Sequence, residues 1–172
     1  MLTVPTAMSS SLVIRKATPA DIDDIQRIAH ITWPSAYGHT LSTEQLEYML
    51  EMIYHKDALK EQMKKGHQFF MAALDGQSFG FASVSAEGNE RFKLNKLYVT
   101  PITQKTGAGK ALLDATINYA KENNGRILFL QVKRDNIAKG FYEKNGFVVT
   151  EEVDIPIGNG FFMNDYIMEL PL

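Results

Sequence analysis

Cysteine is missing from the 172-residue chain, which excludes disulfides, a thiolate nucleophile and a thiolate-ligated metal. Nothing asks for an oxidising compartment, and a cytoplasmic location is the expectation. An excess of one charge is missing too: 18 Lys and Arg stand against 20 Asp and Glu, a formal net charge of −2. A nucleic-acid surface needs surplus cations to neutralise phosphates, so nucleic acid is not an expected partner. A membrane is not expected either. No apolar run approaches the roughly 18 residues of a span, and residues 1–11 lack the charged and apolar regions of a leader. The four histidines, His30, His39, His55 and His67, show neither a His-Glu-x-x-His pattern nor clustered spacing, so no metal is expected.

What the chain has is alternation of elements. With 45% hydrophobic and 22% charged residues it suits one compact domain, residues 12–172, behind a flexible tail of residues 1–11. "LVIRKA" reads as a short strand. "TPADIDDIQRIAHI" then reads as a helix, with Thr18 as N-cap, Pro19 at the first position and an end at Trp33-Pro34. Ser42 and Gln45 are spaced as a capping box for a second helix, and a third runs over residues 56–65. Asp75-Gly76 marks a hairpin, and "RFKLNKLYV" a further strand. Apolar residues at helical spacing follow up to Gly125. "RILFLQV" reads as a strand buried on both faces, and "NIAKGFYEKN" as a helix closing at Gly146. Two strands around Gly158-Asn159-Gly160 end the chain. The order β-α-α-α-β-β-β-α-β-α-β-β predicts an α/β domain with helices on the faces of a mixed sheet.

Directly after the "LYV" strand lies "QKTGAGKALL", two glycines and a lysine at the start of a helix. Glycines let backbone N–H groups approach a ligand closely, and a helix N-terminus favours an anion. A P-loop does not fit, because Gln104 stands at its first glycine and Ala111 at its magnesium-binding hydroxyl. The Rossmann fingerprint lacks its third glycine and its place after the first strand.

Gln104, Gly107 and Gly109 behind a strand, with Asn136, Ala138, Tyr142, Gly146 and Phe147 downstream, resemble the acetyl-CoA site of the GNAT superfamily of N-acetyltransferases. The likeness extends over nearly the whole chain. The opening "ITWPSAYGHTLSTEQLEYML" is similar to the bacterial polyamine acetyltransferase branch. The resemblance implies a mostly antiparallel sheet of about seven strands, with strands 4 and 5 splayed. It implies acetyl-CoA as donor, with its pyrophosphate on the backbone of Lys105, Thr106, Gly107, Ala108, Gly109 and Lys110, and Gln104 ordering that loop. Leu97, Tyr98 and Val99 would follow the pantetheine arm, with Asn136, Phe141 and Tyr142 on its other side. Asn136 lies six residues before the tyrosine, where the commonest spacing is seven and Asp135 stands here.

Transfer to an amine needs a donor for the oxyanion, which a backbone N–H of Leu97 or Val99 can supply, and an acid for the departing sulfur, the role the resemblance gives Tyr142. Many relatives carry a glutamate as base on the strand before the turn. Here Asn95 stands there and can only relay a water, while Asp165 is the carboxylate alternative, with a surface or hairpin place as its bland reading. Trp33 and Tyr37 are the candidate acceptor contacts, with Tyr54, Phe161 and Phe162 as further aromatics and Glu44, Glu47, Glu51 and Asp154 as nearby acids. The expected acceptor is a small-molecule amine such as a polyamine. A protein N-acetyltransferase and a non-catalytic acetyl-CoA sensor are the alternatives, and relatives are commonly homodimers.

Overall fold

A computed structural model describes residues 11–101 and 106–172. Seven strands form one sheet in the order β1-β2-β3-β4-β5-β7-β6. In chain order these are β1 (Leu12–Lys16), β2 (Gln68–Leu74), β3 (Gln77–Ala86), β4 (Arg91–Val99), β5 (Ile127–Lys133), β6 (Val148–Gly158) and β7 (Phe161–Pro171). Only β4 and β5 run parallel; the other neighbours are antiparallel. Among the described residues five α-helices cover the sheet: α1 (Ile22–Tyr37), α2 (Thr43–Tyr54), α3 (Lys56–Lys64), α4 (Ala108–Glu122) and α5 (Ala138–Lys144). Leu112, Leu113 and Ala120 of α4 pack with Phe92, Leu94, Leu128 and Leu130 on one face. Ile25, Ile28, Met49 and Leu59 of α1–α3 pack with Phe69, Met71 and Phe81 on the other. The α/β fold expected from the sequence is the one observed.

Local chemistry explains most boundaries. Asp75 and Gly76 both take positive φ, 51° and 78°, as the tight β2–β3 turn requires. Ser42 accepts from the Gln45 N–H at 3.1 Å and starts α2. Three expectations need correction. The first helix does not end at Trp33-Pro34 but carries Pro34 inside it and runs on to Tyr37. A proline there removes one helical hydrogen bond, a cost of about 3 kcal/mol. Tertiary packing offsets it: Trp33 is buried against Tyr54 and Tyr98, and Tyr37 and Tyr98 share a hydrogen bond of 2.7 Å between their hydroxyls. Second, β5 is not buried on both faces; Leu128, Leu130 and Val132 are buried, while Ile127, Phe129 and Gln131 are only half covered. Third, α5 begins at Ala138 and not at Asn136, whose side chain accepts from the Ala138 N–H at 2.8 Å in the turn before the helix.

The feature that shapes the site is an opening in the sheet. β4 and β5 pair from Arg91↔Ile127 to Leu94↔Leu130, and there the pairing stops, although β4 runs on to Val99 and β5 to Lys133. At the same level β4 is bulged. Ser83 opposes Lys96 and Val84 opposes Leu94, so Asn95 is the extra residue. The bulge resets the side-chain alternation: Phe92 and Leu94, then Leu97 and Val99, meet the α4 face, while Tyr98 meets the α1 face.

Candidate active site

Where β4 and β5 part, β4 keeps its antiparallel ladder with β3 through Val99, and only its register with β5 ends. The Thr100 N–H donates to the Phe79 carbonyl of β3 at 3.0 Å. Since N–H direction alternates along a strand, Tyr98 points its N–H the same way, and Leu97 and Val99 turn theirs toward the opening. A groove of about 410 Å³ starts here, lined by Thr32, Ser35 and Ala36 of α1, by Leu97, Tyr98, Val99 and Pro101, by Gly109, and by Asn136, Ile137, Ala138, Phe141 and Tyr142.

The glycine turn stands at one end of that groove. Gly107 caps α4 with φ of 82°, a conformation that costs any side chain, and nothing lies within 4 Å of where its Cβ would be. A Cβ on Gly109 would lie 3.8 Å from the Phe141 ring, so the missing side chain leaves the floor of the groove open. Thr106 is exposed at the turn, whereas Ala108 turns its methyl into the core and offers only backbone. The Lys110 ammonium pairs on the surface with Asp114 at 3.2 Å. Gln104 and Lys105 lie outside the described residues. The N-terminus of a 15-residue α-helix, beside glycines and an apolar groove, fits a pyrophosphate followed by a pantetheine arm.

A smaller space of about 50 Å³ fills the opening itself, bordered by Tyr37, by Leu94 to Tyr98 on β4, by Leu130 to Val132 on β5, and by Asn136, Ala138 and Tyr142. It shares Leu97, Tyr98, Asn136, Ala138 and Tyr142 with the groove. Tyr142 is buried, its ring held between Phe141 and Phe147 at centroid distances of 5.3 and 5.6 Å. Burial, with Tyr37 nearby, holds its phenol well above the usual tyrosine range, so it stays a proton donor. Burial likewise raises Tyr37, against the hydrogen bonds from Tyr98 and Asn136.

Asn95 borders the opening, and its amide donates to the Ser85 hydroxyl at 2.9 Å. Tyr37 borders the opening, but Trp33 stands behind it in the core, with ring centroids 4.6 Å apart, and lines none of these spaces. Tyr54 is also core, while Phe162 is exposed and Phe161 packs on Tyr48. Glu44, Glu47 and Glu51 are exposed, and Asp154 pairs with Arg134 at 3.0 Å.

Two buried charged side chains join the neighbourhood. Lys96 follows the bulge residue and is buried; it donates to the Gln62 side chain at 2.7 Å, and burial with Lys93 nearby lowers it to about 8. Asp165 has no surface place at all. It is fully buried in β7 and its carboxyl is raised by that burial, against the opposing pull of Lys133, Lys93 and Arg134. The β7 alternation was the available signal, since Asp165 lies two residues after Met163 and two before Ile167 on one side of the strand.

Comparison with known proteins agrees with the geometry. The profile of the acetyltransferase (GNAT) domain matches residues 38–170. The chain belongs to the GNAT acetyltransferase family, and it is an acetyl-CoA-dependent N-acetyltransferase. Among its relatives is a spermidine N(1)-acetyltransferase of Thermoplasma acidophilum, 28% identical over 159 residues that cover 89% of this chain and 96% of that protein. Among solved structures, the PaiA N-acetyltransferase of the same organism in complex with coenzyme A superposes with a TM-score of 0.82 at 26% identity, over 94% of this chain and 99% of the other. A GCN5-related N-acetyltransferase from Rhodopseudomonas palustris follows with a TM-score of 0.81 at 25% identity, over 97% and 100%.

Proposed function

We propose that this enzyme acetylates a primary amine of a small cationic acceptor, a polyamine or a related amine, by direct attack on the thioester. The observation that carries the reading is the adjacency of the two spaces: groove and opening share Leu97, Tyr98, Asn136, Ala138 and Tyr142 as walls. The pyrophosphate of acetyl-CoA would meet the N–H groups of residues 106–110, and the pantetheine arm would lie along Leu97 to Val99 and against Asn136 and Phe141. An N–H of Leu97 or Val99 would receive the carbonyl oxygen, and the Tyr142 hydroxyl would give its proton to the leaving sulfur. Asn95, already bonded to Ser85, would hold a water on the path of the amine proton. Tyr37 would line the acceptor's approach, with Trp33 bracing it.

The Thermoplasma acidophilum spermidine acetyltransferase supports the polyamine part of the reading, since this chain covers 96% of its length. A cysteine-free chain goes with a cytoplasmic place of action. The test is a panel of amines assayed for thiol release from acetyl-CoA. Spermidine or spermine should exceed a short monoamine in kcat/KM, and the advantage should shrink with salt as charge attraction is screened. Turnover of peptide N-termini and of no polyamine would reject the acceptor.

A further inference from the structure

Beyond the opening, on the α2 side of β5 and β7, is a third space of about 30 Å³, lined by Tyr37, Leu41, Met49, Gln131, Lys133, Phe162, Met163 and Asp165. It shares Tyr37 and Gln131 with the opening. Asp165 forms one wall. Its side chain is wholly buried, and neither carboxylate oxygen has a hydrogen-bond partner among the described residues. A buried carboxylate left without donors is costly, and such groups are ordinarily paired. The cations around it are not its partners: Lys93 donates to the Gln131 side chain at 3.4 Å, and Arg134 is held by the Val153 carbonyl at 3.1 Å and by Asp154. Lys133, opposite Asp165 in the β5–β7 register, makes no ion pair with it.

We propose that Asp165 is the seat of a positively charged nitrogen of the acceptor, a second ammonium group distinct from the nitrogen that is acetylated. The inference rests on the small-amine reading above and names the residue that selects within it. The space is large enough for a group the size of one water, which an ammonium head is. Its three N–H donors match the two oxygens that lack partners. Asp165 does not border the opening itself, whereas Tyr37 and Gln131 border both spaces. A nitrogen held at Asp165 is therefore set back from the place where the acetyl group would arrive, and a second amine on the same molecule can reach the opening. An acceptor with two cationic nitrogens fits this arrangement; a simple alkyl monoamine leaves the carboxylate unpaired.

The experiment compares 1,4-diaminobutane with butylamine, in wild type and in Asp165→Asn. Wild type should favour the diamine in kcat/KM. In the variant the ratio of diamine to monoamine should fall about tenfold or more, the scale of one buried charge-assisted contact. The calorimetric Kd of 1,4-diaminobutane for the enzyme–coenzyme A complex should rise by a similar factor, while coenzyme A itself still binds. An unchanged ratio overturns the proposal and leaves the acetyl-transfer reading standing. So does equal loss with both amines, which assigns Asp165 to the fold or to proton transfer. Should Asp165→Asn fail to fold, wild type decides, since equal kcat/KM for the two amines refutes a second-ammonium seat. No turnover of any amine by wild type would instead fail the small-amine reading.

Discussion

Replacing Tyr142 by phenylalanine removes one oxygen from the junction between groove and opening. The ring should not notice, because its contacts with Phe141 and Phe147 are aromatic and its exposure is 8%. The change therefore reads out the hydroxyl alone. Burial raises that phenol well above its ordinary value, so wild type keeps the proton throughout any assay from pH 6 to about pH 10, and no alkaline loss of activity should trace to this group. Losing a general acid costs about 10²- to 10⁴-fold. That is about 3 to 5 kcal/mol on the barrier. The assay is single-turnover thiol release with saturating amine, where chemistry limits the rate, beside a calorimetric Kd for acetyl-CoA that should barely move. If Tyr142→Phe keeps the wild-type single-turnover rate, the sulfur takes its proton from water or another residue. If rate and acetyl-CoA affinity fall together, the ring rather than the hydroxyl is what matters.

Three further outcomes follow from the same geometry. Gly109→Glu should leave the fold intact, since its Cβ meets Phe141 at an ordinary 3.8 Å, yet weaken acetyl-CoA by at least about tenfold, ~1.4 kcal/mol, by setting a negative charge beside the pyrophosphate; unchanged calorimetric affinity would reduce the turn to a structural role. Gly107→Ala should lower stability by about 1–2 kcal/mol in denaturant titration, because φ of 82° penalises any Cβ although no atom obstructs it. Asp165→Asn should raise the melting temperature of the free enzyme at neutral pH. The Asp165 pKa is raised in the fold, so its contribution favours folding below the ordinary 3.8 and turns against it as pH rises through the folded value. The gain from Asn should therefore fade as pH is lowered toward 3.8, and a melting difference independent of pH would contradict an uncompensated buried carboxylate.

The parts legible in the sequence are those written in local chemistry. Asp75-Gly76 fixed its hairpin through two positive φ values, Ser42 its helix start, and the two glycines their place at the head of α4. Long-range packing was not legible in the same way. Pro34 looked like a stop because a helix-breaking residue is local, whereas the contacts that carry α1 past it, from Trp33 and Tyr37 to Tyr54 and Tyr98, join positions 21 to 61 residues apart. Asn95 read as a glutamate missing from its place; the β3–β4 register makes it the bulge residue that resets the face of Leu97 and Tyr98. Asp165 read as surface because charge usually is. Its burial depends on β5, α2 and the Phe162–Met163 segment closing around it, and no window of sequence holds all three.

The measurement that bears most directly on the account is thiol release from acetyl-CoA as amines are added one at a time, with the mass of each product recorded. Release should depend on the amine, at one thiol for each acetylated amine, greatest with polyamines and without added metal. Tight binding of acetyl-CoA with no amine-dependent release and no acetylated product would contradict it and leave a binding protein on the same fold.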